Sequence, residues 1–376
     1  MTTAFVDDAV IEEIVERVRR RFSMKPKVAI AGFGKSGKSS LFNAIYGERV
    51  AKVSMKTDET TPDDMLTKER FGIDFTDTPG FGTEKFSLDT IAALLDGQHV
   101  VVHVLNGAAS ISAEDHRLHA NLGESHARRV TVVNKMDLLD ESEQADVRSS
   151  VREKLGLERD AFLFISAKRG TNIPSLVQRI TELLPEAMQD AFVAQQQADL
   201  QLKERRIRKL IYSKAALAGV LGAVPIPVAD IAILTPMQIA MVAGVGYFHG
   251  VEVTKDRAVE FLTVVGAGMG LREAARQIVK LIPGWGSAIS AAVAFAGTVA
   301  LGESAHAWFK SQMKLAPDEL REVFKKAASR AKTEYEERPR AAAPTDAEDA
   351  ISSLRAKHAA GEISDEELAV ALAKIT

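Results

Sequence analysis

The octapeptide Gly32-Phe33-Gly34-Lys35-Ser36-Gly37-Lys38-Ser39 is the first place in the chain where residue type and spacing specify chemistry. It satisfies GxxxxGK[ST], and its context makes the pattern informative: an apolar run, Val28–Ala31, precedes it and a helical pattern, Lys38–Tyr46, follows. Glycines let the backbone curl until successive N–H groups face one point. The positive end of the following helix adds to the field there, so the loop is a cradle for phosphate. In such a cradle the Lys38 ammonium lies on the β- and γ-phosphates and the Ser39 hydroxyl ligates Mg2+, with Gly32, Gly34, Lys35, Ser36, Gly37 and Ser40 around them.

Three further clusters belong to the same chemistry. Asp77-Thr78-Pro79-Gly80 stands at a strand end; Asp77 is expected to hold Mg2+ through water and the Gly80 N–H to sense the γ-phosphate. Asn134-Lys135-Met136-Asp137 ends the apolar run Val130–Val133 and selects the base. Asp137 can accept two hydrogen bonds, from guanine N1–H and from the 2-amino group. Adenine has no such pair of donors and would leave a buried carboxylate unpaired, a kind of rejection that reaches roughly 10⁴–10⁵-fold in other enzymes. Lys135 is expected along the base and against the phosphate loop. Ser166-Ala167-Lys168 follows the run Phe162–Ile165 and closes the site, with the Ala167 N–H near guanine O6. The expected ligands are GTP or GDP with Mg2+, and the expected reaction is hydrolysis of GTP to GDP and phosphate.

The elements that must position these residues alternate between strand and helix. The strand runs Val28–Ala31, Val100–Leu105, Val130–Val133 and Phe162–Ile165 are separated by helical patterns at Lys38–Tyr46, Leu88–Leu95, Ala113–Leu122, Glu143–Leu155 and Pro174–Leu184. Unbroken apolar strands alternating with helices predict an α/β fold, a mostly parallel sheet with helices on both faces, and ligands of such sheets bind outside the strands' carboxyl ends. Ser112 with Asp115 predicts a capping box, and Met65–Phe71 with Ile73–Thr76 a two-stranded ribbon turning at Gly72. Before the sheet, Val6–Phe22 has helical apolar spacing, with acids early and Arg19, Arg20 and Arg21 late.

The four motifs, in this order, resemble the Era-like branch of the translation-factor-related (TRAFAC) small GTPases, over about Lys27 to Leu184. The resemblance implies a switch threonine that closes on Mg2+ and the γ-phosphate. Within Thr57-Asp58-Glu59-Thr60-Thr61-Pro62 that residue is Thr61, with Thr60 as the competing choice. It also exposes two departures. Ras-like enzymes carry a water-orienting glutamine after the DxxG glycine, where this chain has Phe81. Some Era-like enzymes hold a potassium ion with an asparagine of the phosphate loop, where this chain has Lys35. The Lys35 ammonium is expected in the region of that ion, the alternative being a solvated lysine on the loop exterior. Slow intrinsic turnover follows from the missing glutamine.

After Pro185 the texture changes. Ala187 to about Tyr212 reads as one helix that becomes basic through Lys203, Arg205, Arg206, Arg208 and Lys209. Ala215–Phe248 then has a single charged residue, Asp230, and prolines at 225, 227 and 236; Leu281–Gly302 has no charge. Two readings stay open: membrane-contacting helices preceded by a positive cluster, or apolar helices that bury one another. This half resembles a bacterial helical domain found fused to Era-like GTPases and related to inner-membrane proteins, on the strength of Pro225-Ile226-Pro227, Asp230, Pro236-Met237-Gln238 and the glycine-rich Val265–Gly270. Ala350–Ile375 resembles a short bacterial helical hairpin used for oligomerisation or docking. Its first helix stops at Gly361, and Ser364 with Glu367 caps the second.

The expected organisation is therefore an N-terminal amphipathic helix at 1–25, a GTPase domain at 26–186, a helical and apolar domain at 187–337, a linker at 338–344 and a helical hairpin at 345–376. A switch of this kind is expected at the cytoplasmic face of the inner membrane, with membrane lipid or a membrane protein as partner and with self-association. A dynamin-like membrane assembly protein is the first alternative, and a ribosome- or RNA-associated GTPase of the Era type the second. The chain has 376 residues, no cysteine and a net charge of −3. Disulfides, thiolate metal sites and cysteine nucleophiles are excluded, and the charge argues against a nucleic-acid coat, leaving Lys203–Lys209 as the one candidate RNA contact. Asp7, Asp8, Glu12 and Glu13 stand where a cleavable signal peptide would be basic and then apolar, so none is expected.

Overall fold

The computed structural model describes residues 8–47, 74–77, 97–124, 128–158, 161–222, 229–267 and 287–337, with four residues between 353 and 357. The expected switch segment 57–62, Gly80, Phe81, the helix Leu88–Leu95, the ribbon strand Met65–Phe71, Pro225, Pro227, the linker and nearly all of the C-terminal hairpin lie outside them. The chain divides into two compact units. One is Arg21–Lys203; the other joins Glu204 onward to the N-terminal residues up to Arg20.

In the first unit five strands, β1 (Lys27–Ala31), β2 (Asp74–Asp77), β3 (Val100–Asn106), β4 (Arg128–Asn134) and β5 (Phe162–Phe164), form one sheet in the order β2-β1-β3-β4-β5. Every pairing is parallel. Because successive side chains point to opposite faces, a strand covered on both sides must be apolar throughout. β3 follows this from Val100 to Leu105 with one exception, the buried His103. The helices α2 (Lys38–Tyr46), α3 (Ala113–Glu124), α4 (Glu141–Leu155) and α5 (Ile173–Leu183) belong to this unit, whereas α1 (Asp8–Phe22) falls up to Arg20 in the other. Leu118 and Leu122 of α3 pack on Ala29, Ala31 and Val101, while Val151 and Leu155 of α4 pack on Leu105, Val133 and Phe162. Each buried Leu or Val side chain among these contributes about 1.5–3 kcal/mol of transfer free energy.

Helix starts follow local chemistry. Ser112 and Asp115 exchange hydrogen bonds as expected: Asp115 N–H donates to Ser112 Oγ at 3.0 Å and Ser112 N–H to Asp115 Oδ2 at 2.9 Å. α4 starts two residues earlier than its apolar spacing indicates. Asp140 is its N-cap, accepting the Glu143 N–H at 2.9 Å while Glu143 accepts the Asp140 N–H at 2.8 Å.

The helix expected from Ala187 to Tyr212 is two helices, α6 (Glu186–Gln195) and α7 (Leu200–Gly222). The break is built from side chains. Buried Gln196 accepts the Asp199 N–H at 2.7 Å and donates to the Asp199 carbonyl at 2.8 Å, and Asp199 Oδ1 accepts the Leu202 N–H at 2.8 Å, the geometry of an N-cap. The Gln197 N–H donates to the Ile45 carbonyl at the end of α2, at 2.9 Å. With Ala191, Phe192 and Val193 fully buried, α6 falls in the compact unit that runs from Arg21 to Lys203. Lys203, the first residue of the basic cluster and of the candidate RNA contact, is buried and donates to the Ala194 carbonyl at 2.9 Å. Burial holds its ammonium down to a pKa of about 8.

The second unit is helical. α8 (Ala229–Phe248), α9 (Lys255–Ala267), α10 (Ser287–Lys310) and α11 (Pro317–Glu337) pack with the later part of α7. Among their described side chains, Met237, Ile239, Met241, Val242 and Phe248 of α8 and Phe295, Val299 and Ala300 of α10 are at most 1% exposed. Small residues let the helices approach: a Cβ on Gly302 would meet Ile211 Cγ1 at 2.7 Å, and one on Gly246 would meet Val253 Cγ2 at 2.2 Å. Among the described residues no helix is long and apolar enough to cross a membrane.

Candidate functional site

The chain leaves β1 at Ala31 and bends at once into the glycine-rich loop. A Cβ on Gly32 would stand 2.3 Å from the Val104 carbonyl, so only glycine fits the exit from the strand. The loop turns through a hydrogen bond from the Ser36 N–H to the Phe33 carbonyl, 3.2 Å, and through left-handed backbone at Lys35 (φ 63°) and Gly37 (φ 91°). Gly37 is the N-cap of α2, and no side chain caps that helix. A helix N-terminus of this kind suits an anion. Lys38, in the first turn, is 8% exposed and its Nζ lies back on the Phe33 carbonyl at 3.3 Å. Ser39 and Ser40 follow, half-buried, while Lys35 is exposed and the Ser36 hydroxyl is buried with no hydrogen-bond partner among the described residues. Asp77 ends β2 in register with Ile30, one strand away from the start of the loop.

The motif Asn134–Asp137, expected to select the base, sits at the end of β4. Asn134 is 2% exposed and ties the site together: its Nδ2 donates to the Ser36 carbonyl at 2.8 Å and its Oδ1 accepts the Ala167 N–H at 2.9 Å. The Ala167 N–H, expected at guanine O6, therefore has an acceptor within the protein here. A Cβ on Gly37 would meet Asn134 Nδ2 at 2.4 Å, a second reason for glycine in the loop. Lys135 takes a left-handed conformation (φ 70°), and half-burial, then the Lys35 charge, hold its ammonium below the usual lysine pKa. The Asp137 side chain is 5% exposed, and its Oδ1 accepts the Ser166 hydroxyl at 2.6 Å. That bond is the main reason its carboxyl stays below the ordinary aspartate pKa. Ser166 in turn accepts the Arg169 N–H at 3.1 Å, and Lys168 is exposed.

The structure thus brings together Gly32, Gly34, Lys35, Ser36, Gly37, Lys38, Ser39 and Ser40 with Asn134, Lys135, Asp137, Ser166, Ala167 and Lys168, with Asp77 one strand over. Thr61 and Gly80 lie outside the described residues. One neighbour escaped the sequence: Arg169, whose Nε lies 3.9 Å from Asp137 Oδ2. No motif position marks it.

A five-stranded parallel sheet with the glycine-rich loop after its first strand and the Asn134–Asp137 motif after β4 is the P-loop GTPase fold. Comparison with known proteins agrees. Residues 27–135 match the profile of the family described as 50S ribosome-binding GTPase. GTPase Era of Carboxydothermus hydrogenoformans is 32% identical over 167 residues, which is 42% of this chain and 55% of that protein. GTPase Era of Caldanaerobacter subterraneus is 30% identical, over 49% of this chain and 65% of that protein. GTPase Der of Chromobacterium violaceum is 31% identical, over 48% of this chain and 41% of that protein. The chain spans about half the length of the curated relatives it matches.

Proposed function

We propose that the chain binds GTP and hydrolyses it slowly to GDP and phosphate, and that the exchange between the two states acts on its helical unit. The observation that carries this is the Asn134 side chain, which joins the phosphate loop to the base-closing loop while Ser166 holds a nearly buried Asp137 at the base position. A carboxylate so placed selects a base with two adjacent donors, and guanine has them.

The donor set fits magnesium: Ser39 stands in the first turn of α2 and Asp77 ends the neighbouring strand, a hydroxyl and a carboxylate, hard oxygen ligands of the kind Mg2+ takes. With Thr61 they would hold the ion, which would supply positive charge against the phosphates. Lys38 exchanges the Phe33 carbonyl for the phosphates. Gly80 reports the γ-phosphate, and Lys35, on the open side of the loop, stabilises the charge that develops as that group leaves. With Phe81 in place of a water-orienting glutamine, unassisted turnover on the order of 10⁻⁴ to 10⁻³ per second is expected.

Calorimetry of the purified chain with GTP, GDP and ATP in Mg2+ tests the reading, with guanine nucleotides expected to bind and ATP not to. Equal uptake of ATP, or no uptake of GTP, refutes it. Turnover of Lys35→Ala tests the role of Lys35, and an unchanged rate removes it.

For the helical unit we propose self-association, or attachment to the cytoplasmic face of a membrane, as the event that nucleotide state controls. An RNA partner is the second reading. It is favoured by the match of residues 27–135 to the 50S ribosome-binding GTPase family, and co-sedimentation with ribosomal subunits would support it.

A further inference from the structure

The two oxygens of the Asp137 carboxylate have different company. Oδ1 accepts the Ser166 hydroxyl at 2.6 Å; Oδ2 faces Arg169 Nε at 3.9 Å. The carboxylate side chain is 5% exposed and the guanidinium side chain 69% exposed, so the cation stands on the rim above a sunken acceptor. The backbone under Arg169 is fixed: its N–H donates to Ser166 Oγ at 3.1 Å, the Ser166 N–H donates to the Thr171 carbonyl at 3.1 Å, and Gly170 turns the chain with φ 75°. The side chain is thereby held within reach of Asp137 while its far end stays in water.

A nearly buried carboxylate requires donors whether or not a base is present. Guanine would bring two, N1–H and the 2-amino group, and must displace the guanidinium to deliver both. Hypoxanthine keeps N1–H and lacks the 2-amino group, so one carboxylate oxygen is left to whatever donor stands nearby. We propose that Arg169 is a specificity-determining residue that competes with the guanine 2-amino group for Asp137, weakening guanine binding and supporting hypoxanthine nucleotides. The proposal rests on Asp137 as the reader of the base. Because Arg169 is exposed and the pair is long, the effect is about two- to fivefold for each nucleotide.

The test measures dissociation constants of GDP and inosine diphosphate for the full-length protein in Mg2+ at low ionic strength. Arg169→Ala is expected to tighten GDP two- to fivefold and to weaken inosine diphosphate by a similar factor. The preference between them then rises on the order of tenfold. Added salt should shrink the difference between parent and variant, since the competing charge is exposed. Arg169→Lys, which keeps the charge without the planar fork, should fall between the two. Equal shifts for both nucleotides, or none, overturn the proposal while leaving the nucleotide site standing. A parent protein that binds neither nucleotide overturns the site itself, and the proposal with it.

Discussion

At the residue scale, the most demanding group outside the site is His103. It lies on β3 opposite Ala31 and Thr131, fully buried, with neither ring nitrogen hydrogen-bonded among the described residues. Its ring centroid is 5.6 Å from that of His119. Burial, then the positive charge of His119 and Arg129, pushes His103 down to about 3, and the same kinds of cause push His119 down to about 4. An unfolded histidine titrates near 6.5. Between pH 6.5 and about 3 the unfolded chain therefore takes a proton that the folded chain refuses, and stability falls as pH falls, by about 1.4 kcal/mol per pH unit for His103. Melting temperatures from pH 7.5 to 4.5 should show a decline that begins near 6.5 and is shallower in His103→Phe. An identical slope in the variant refutes this. The histidine gives no sign of its burial in the sequence beyond its position inside the run Val100–Leu105.

At the element scale, two glycine-dependent contacts do different work. Gly37 serves the site, as the left-handed N-cap of α2 and the neighbour of Asn134. Gly302 serves packing, letting α10 approach Ile211 of α7 so closely that a Cβ would overlap it at 2.7 Å. Overpacking of this kind costs about 1–3 kcal/mol. Gly302→Val is expected to lower the denaturation midpoint by that amount while the dissociation constant for GDP stays within twofold, because Gly302 and the nucleotide loops belong to different compact units. A large loss of GDP affinity would refute the separation. The helix patterns that depend on near neighbours, such as Lys38–Tyr46 and the Ser112–Asp115 cap, were readable from residue order. The break between α6 and α7 was not, because Gln196 must be buried before its amide can hold Asp199.

At the scale of the whole molecule, the apolar segments of the second half meet one another. The described side chains of α8 and α10 are largely shielded from solvent. The proposed attachment to a membrane then requires either surfaces outside the described residues or a rearrangement driven by nucleotide. Turnover measured against protein concentration, with and without liposomes, separates the cases. A rise with concentration alone supports self-association, a rise only with liposomes supports membrane attachment, and a flat response removes both. The sequence by itself determined the class of site, since phosphate cradling and base selection each reside in a few consecutive residues whose backbone and side-chain chemistry is local. Tertiary structure decided what joins those segments. Asn134 reaches Ser36 across 98 positions, Gln197 meets the end of α2, Lys203 goes inside, and Arg169 arrives over Asp137. Such contacts exist only once the chain is folded, because each depends on burial and on the approach of residues that spacing along the chain does not relate.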